Sequence, residues 1–352
     1  MASVCLLMTE QLPPALMANT KVDYYISGAS RPGVTFRNLQ GCVEDVLQVR
    51  EYLQQSFRVR DSHIYQLTAT APHDDSGIPV EDPSQWPTYE NIINVLQQVS
   101  QDAKPEDLVY LHYSGHGIRA STIFGDLKGD DSLDEALVPT SIACDGGRYI
   151  RDVEVAYLLE EMVKKELIVT VVLDCRHSGS ADRSKNHDVD NSWIRGISAI
   201  DRNKLDSDIS AFPHGELDIA ARRPLATGGK ARVADHWLLE SRGYAFLAAC
   251  RAQESALEHD YGGKVQGVLT HSLLSTLKNN SQRLTYHRLW ELVASKVREQ
   301  SNQQNVVLGG EGDRLFYSSD RLELVHASTV IKVDYAEDRT TARLNVGTIH
   351  GI

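Results

Sequence analysis

The sequence predicts an α/β sandwich on a largely parallel sheet, and three observations carry that expectation. LIVTVVLD, residues 167–174, is a near-continuous β-branched run of the kind needed by a central strand covered on both faces. DLVYLHYSGHG, 107–117, is a second apolar run and ends in a glycine-bracketed turn. Segments of helical period separate such runs, and strand–helix alternation is the pattern of a parallel α/β layer.

Taken in order, SVCLLM (3–8) reads as a short buried strand, with KVDYYIS (21–27) a rival for that role. Val43, Val46, Val49 and Leu53 recur at helical spacing within 39–55. HIYQLT (63–68) is strand-like, and APHDDSGIPVEDPSQWP is a loop whose Pro and Gly residues break regular structure. Thr88 and Glu90 open a helix carried by Ile92, Ile93, Val95, Leu96 and Val99, and another helix starts near Asp152. GYAFLAAC (243–250) is a further buried strand. GVLTHSLLSTLKN and TYHRLWELVASKVREQ are helical, the second with Thr285 as N-cap. VIKVDY and ARLNVG alternate as strands around an EDRT turn.

Between Gly179 and Asp235 no period survives. This stretch is expected to be a mobile, protease-sensitive loop, and it carries nine Lys and Arg residues, Arg195 among them. The resulting organisation is one domain over 1–321, with a larger part to about 178, the loop to about 235 and a smaller part to 321. Residues 322–352 are then a β-rich extension, either the start of a further module or a simple hairpin.

With 352 residues, 41% hydrophobic and 24% charged, the chain has the composition of a folded globular protein. A net charge of −12 offers no footing for nucleic acid or an anionic membrane, and suits basic partners. Five widely spaced cysteines without a CxxC pair predict reduced thiols, hence a cytoplasmic or nuclear setting. SVCLLM is too short for a signal-peptide core, and no apolar run reaches membrane-spanning length.

Two loops carry chemistry. His116 stands between Gly115 and Gly117 at a strand end, where its imidazole is expected to face solvent and to serve as a general base. DCRHSG, from Asp174, ends the second strand, and neighbouring parallel strands bring such loops together at their carboxyl ends.

LHYSGHG and LDCRHSG together resemble the caspase superfamily, most closely the metacaspases and related fungal caspase-like proteins. LQGCVEDVLQVREYL, DSLDEALVPTS, YIRDVE, YAFLAACRAQESALE and GVLTHSLLSTL extend the resemblance over about residues 22–317. It implies a caspase-like α/β/α sandwich and a cysteine endopeptidase in which His116 activates a thiol and the Gly117 backbone helps hold the oxyanion. The family's nucleophile falls at Arg176, and Cys175 matches the preceding position. A guanidinium cannot attack an acyl carbon, so the chain is expected to be inactive. Cys175 is the alternative nucleophile, but successive residues of an extended segment face opposite ways, which turns Cys175 inward.

The resemblance also implies a pocket for Arg or Lys before the cleaved bond, formed by Cys42, Asp45, Ser114 and Asp174, and into which Arg176 could itself fold. Partners are then peptide or protein segments containing Arg or Lys. The chemistry needs no cofactor. Some metacaspases need Ca²⁺, and the matching positions here are Asp131, Asp134, Asp152 and Asp182, with Asp130 nearby. Arg151 and Arg183 stand where further acids belong. Two alternatives stay open. One is an active Arg/Lys-specific peptidase, working through Cys175 or through a cysteine in place of Arg176 in a parent form. The other is a non-catalytic peptide-binding or regulatory module.

Overall fold

The structure, a computed structural model, describes residues 4–8, 14–20, 34, 38–71, 78–144, 146–176, 194–197, 200–213, 215–217, 243–251, 254–280, 283–321, 333–335 and 342–344. The KVDYYIS segment, Asp182, Arg183 and most of the 179–235 stretch lie outside the described residues.

The main sheet has seven strands: β1 (Val4–Met8), β2 (Pro14–Thr20), β3 (Ile64–Ala69), β4 (Leu108–Ser114), β8 (Ile168–Asp174), β10 (Tyr244–Ala248) and β13 (Val307–Gly310). Its order is β1-β3-β2-β4-β8-β10-β13. The interior pairings β3–β2, β2–β4, β4–β8 and β8–β10 are all parallel, and β13 closes one side antiparallel.

The helices α1 (Cys42–Phe57), α2 (Tyr89–Asp102), α3 (Gly125–Lys128), α4 (Asp152–Lys164), α5 (Val268–Asn279) and α6 (Tyr286–Gln300) flank or adjoin this sheet. Thr88 and Thr285 cap α2 and α6 through their hydroxyls, the second as the sequence predicts. Alternation along the strands builds two cores. Val109, Leu111 and Tyr113 of β4, with Val169, Val171 and Leu173 of β8, pack with α2 and α4. Tyr110 and Val172 pack on the other face with α1, α5 and α6. The result is the expected three-layer α/β sandwich, because each continuous apolar strand is covered on both faces.

A smaller sheet, ordered β7 (Ile150–Arg151), β6 (Leu133–Leu137), β5 (Gly117–Ser121), β9 (Ile200–Asp201), leaves the His116 turn. β9 and residue 197 correct the expectation that 179–235 is unstructured throughout: Ile200 pairs with Arg119, and Ile197 packs in the core of this sheet. A hairpin, β11 (Glu258–Asp260) and β12 (Val265–Gly267), follows β10. Within the C-terminal extension, β14 (Val333–Tyr335) and β15 (Ala342–Leu344) form an antiparallel pair.

Candidate functional site

The site lies at the carboxyl ends of β4 and β8, whose last residues, Ser114 and Asp174, are direct parallel neighbours. Two helix N-termini face it. Glu258 accepts the Gln40 and Gly41 N–H groups at 2.9 and 2.8 Å as α1 begins. Asp174 Oδ2 accepts from the Thr270 N–H at 2.9 Å and the Thr270 hydroxyl at 2.6 Å in the first turn of α5. Asp45, in the first turn of α1, accepts from the Gly267 N–H at 3.0 Å and the Ser114 hydroxyl at 2.6 Å. Free N–H groups and positive dipole ends favour carboxylates in such places.

Three buried carboxylates therefore converge, and one guanidinium meets them. It belongs to Arg195. Its Nη2 lies 2.6 Å from Asp45 Oδ2 and 3.1 Å from Glu258 Oε1. Its Nη1 donates to Ser114 Oγ at 2.5 Å and lies 3.4 Å from Asp174 Oδ2. Arg195 is wholly buried. Burial would lower its pKa, but Asp45, Asp174 and Glu258 outweigh that and hold it charged. Space for it comes from Gly267, where a β-carbon would stand 2.6 Å from Arg195 Cζ, and from Gly41, where one would stand 2.9 Å from Nη2.

Among the described residues, one cation stands against these three acids. Burial, with Asp174 adding to it and Arg195 opposing, pushes the Asp45 carboxyl up to about 7. Burial and the Arg195 charge push His112 down to about 3, so it stays neutral beside the Thr270 hydroxyl at 3.2 Å. Burial raises the Cys42 thiol to about 12, and its Sγ lies 3.8 Å from Glu258 Oε1. Cys42, Asp45, Ser114 and Asp174 thus lie together around one guanidinium. The side chain among them is Arg195, not Arg176.

The backbone around Arg195 is held like an added strand. Ile194 bridges Leu257 in antiparallel fashion, and the Arg195 N–H donates to the Ala256 carbonyl at 2.8 Å. The Arg195 carbonyl accepts the Arg176 N–H at 2.7 Å, and the Ile197 N–H donates to the Gly117 carbonyl at 3.3 Å. An extended segment, anchored by one charged side chain, therefore runs past Arg176. The described part of the loop is packed here instead of being loose.

His116 is 1% exposed, which corrects the expectation of an open imidazole. Its carbonyl accepts from the Tyr113 hydroxyl at 2.6 Å and the Val138 N–H at 3.2 Å, so packing fixes the turn that the two glycines permit. Cys175 is fully buried in the core beside α2 and α4, and burial raises its thiol well above the ordinary range. Arg176 is 6% exposed, and burial lowers its pKa.

Among the described acids of the calcium-like positions, Asp134 and Asp152 are engaged by protein cations. The Lys128 ammonium lies 2.9 Å from Asp134 Oδ1 and 2.7 Å from Asp152 Oδ2. Arg151 Nη1 takes the other Asp134 oxygen at 2.7 Å, and Arg151 Nη2 lies 3.4 Å from Asp208. Two protein cations occupy the oxygens that a metal would need. Asp131 is exposed, and among the described residues no group of three or more His, Cys, Asp or Glu side chains is arranged to hold a metal.

Arg195 and Glu258 are the site residues that sequence reasoning missed. Glu258 closes the YAFLAACRAQESALE match, but nothing local marks it as an arginine ligand. Arg195 is one basic residue among nine in its loop. Among the described residues, Cys42, Cys144, Cys175 and Cys250 are in no disulfide. No described helix is long and apolar enough to cross a membrane.

Residues 24–183 match the family model for the metacaspase, peptidase C14 domain. A metacaspase-1B of Aspergillus terreus is 28% identical over 282 residues, covering 76% of this chain and 69% of that protein. A metacaspase-1A of the same organism is 33% identical over 143 residues, covering 41% of this chain and 32% of its own length. The crystal structure of protein GSU0716 from Geobacter sulfurreducens superposes with a TM-score of 0.51 at 18% identity, covering 87% of this chain and 96% of that one, a likeness of fold.

Proposed function

We propose that this chain, a member of the caspase superfamily related to the metacaspases, has a peptide-recognition cleft for arginine that is closed by its own Arg195 segment and does not cut peptide bonds. The contact that carries the reading is the Arg195 guanidinium on Asp45, Glu258, Ser114 and Asp174, with its carbonyl on the Arg176 N–H. A peptide held this way presents its Arg195–Gly196 bond to residue 176. Residue 176 has no thiol, so the bound segment acts as an occupant and not as a substrate. The full burial and raised pKa of Cys175 argue against it as a substitute nucleophile.

The test has two readouts. The chain should show no turnover of Arg- or Lys-terminated acyl reporters, and trypsin should cut after Arg195 far more slowly than after exposed basic residues such as Arg58. Turnover lost on Cys175→Ala would overturn the inactive reading. Rapid tryptic cutting after Arg195 in the folded chain would overturn the closed cleft.

We propose also that Lys128 and Arg151 do at the calcium-like corner what a bound cation would do, so that the fold needs no Ca²⁺. Glu135 in the same corner is raised to about 8 by burial, with Asp152 adding and Arg119 and Lys128 opposing. Its folded-state pKa thus lies above the ordinary 4.5. The stability it contributes is complete below that value and is lost as pH rises through about 8. Asp45, raised to about 7, acts with the same sign. The Tm should therefore fall from pH 5 to pH 8, with curves that superimpose in Ca²⁺ and in EDTA, and Glu135→Gln should remove roughly 3–4 kcal/mol of the pH dependence. A Ca²⁺-dependent rise in Tm would refute the internal-cation reading.

A further inference from the structure

We infer that the cleft reads an arginine–glycine step in an extended peptide, and that Arg176 is the residue that demands the glycine. The inference rests on the closed-cleft reading above and adds to it the chemistry of the residue after the arginine.

Gly196 packs against the Arg176 side chain. A β-carbon on Gly196 would stand 2.8 and 2.9 Å from the Arg176 Cδ and Cγ, and closer still to its Cβ. Distances under 3 Å are not tolerated between carbon atoms, and the nearest atom sits one bond from the backbone, where a rotamer change cannot move it. Gly196 does not have a positive φ, so conformation does not require glycine there. Space does.

Arg176 is itself held in place. It is 6% exposed, its N–H is committed to the Arg195 carbonyl at 2.7 Å, and it directly follows the buried Cys175. The segment cannot slide to relieve a clash, because its registration is pinned on both sides of Gly196. Arg195 is fixed by its guanidinium contacts and by Ala256, and the Ile197 N–H is fixed on the Gly117 carbonyl at 3.3 Å.

The pocket also discriminates between the two basic side chains. Nη2 serves Asp45 and Glu258 while Nη1 serves Ser114 and Asp174, so four acceptors are shared between two nitrogens of a planar fork. A lysine ammonium is a single point and cannot span them. The peptide that fits is therefore arginine followed by glycine, with extended backbone on both sides. In this chain that peptide is supplied internally; a partner carrying an Arg-Gly step would compete for the same place.

The experiment compares the intact chain with Gly196→Ala, Gly196→Ser and the double variant Gly196→Ala with Arg176→Gly. Hydrogen exchange of the backbone amides at positions 176 and 195, and tryptic cutting after Arg195, report whether the segment is seated. Native Tm and circular dichroism report the fold. Both single variants should lose protection and be cut at least tenfold faster while the rest of the fold stays protected; the double variant should regain protection. Peptides Trp-Ile-Arg-Gly-Ile, Trp-Ile-Arg-Ala-Ile and Trp-Ile-Lys-Gly-Ile, blocked at both ends and labelled, are then added to the Gly196→Ala chain. Anisotropy should show the Arg-Gly peptide binding at least tenfold tighter than either of the others.

Undiminished protection in both Gly196 variants, or equal binding of the Arg-Gly and Arg-Ala peptides, would overturn the glycine requirement. Failure of Arg176→Gly to restore protection would remove Arg176 as its cause. Rapid cutting after Arg195 in the unaltered chain would instead sink the closed-cleft reading beneath it.

Discussion

Arg176→Cys is expected to make the chain cut itself between Arg195 and Gly196. The bond is already positioned: the arginine is anchored, and the backbone N–H of residue 176 donates to its carbonyl oxygen at 2.7 Å, one half of an oxyanion site. The new thiol would lose its proton to the His116 imidazole and attack the Arg195 carbonyl carbon. Collapse of the tetrahedral adduct breaks the C–N bond, His116 returns the proton to the Gly196 amine, and water then releases the thioester as a carboxylate. Mass spectrometry should find fragments ending at Arg195 and beginning at Gly196. In that background His116→Ala should slow cleavage by roughly 10²–10⁴-fold. An intact, natively folded Arg176→Cys chain would show that the cleft cannot support the chemistry, and fragments starting elsewhere would show that the anchored bond is not the one presented.

Arg195→Ala should destabilise the chain by about 3–5 kcal/mol, because it leaves buried carboxylates without their cation. The loss falls on a place with no solvent to replace the missing charge, since Asp45, Asp174 and Glu258 are all buried. Urea unfolding at pH 7.5 measures it. The deficit should shrink toward pH 5, where Asp45, already raised to about 7 with the guanidinium in place, takes up a proton more readily without it. Arg195→Lys should recover the charge but not both sides of the fork, and keep a deficit of roughly 1–3 kcal/mol. A loss under about 1 kcal/mol for Arg195→Ala would mean that solvent reaches the acids and that the guanidinium is not what holds the loop.

The sequence by itself determined the layers of this protein and the two adjacent strand ends at which the acidic pocket lies. Periodicity is local, so the apolar run of 167–174 and the helical spacing of Val43 through Leu53 were enough to place a two-sided strand and a half-buried helix. The alternation that turns Cys175 into the core and away from the cleft follows from the same two-residue period. Arg176 stands out in the sequence because its neighbours, Asp174 and the His-Ser-Gly that follows, resemble the family's motif.

What fills the acidic pocket was decided only by tertiary structure. Arg195 is 150 residues from Asp45 along the chain and 63 from Glu258, and no spacing rule connects partners so far apart. Locally, Arg195 looks like Arg183 or Arg202; it is singled out by the space left at Gly41 and Gly267 and by the acids gathered at two helix N-termini. The calcium-like corner follows the same logic, since Lys128 carries no motif and reaches Asp152 across 24 residues through a turn whose course depends on packing. Buried charge needs a partner wherever the chain can supply one, and which residue supplies it is a question of three-dimensional proximity that periodicity and motif do not encode.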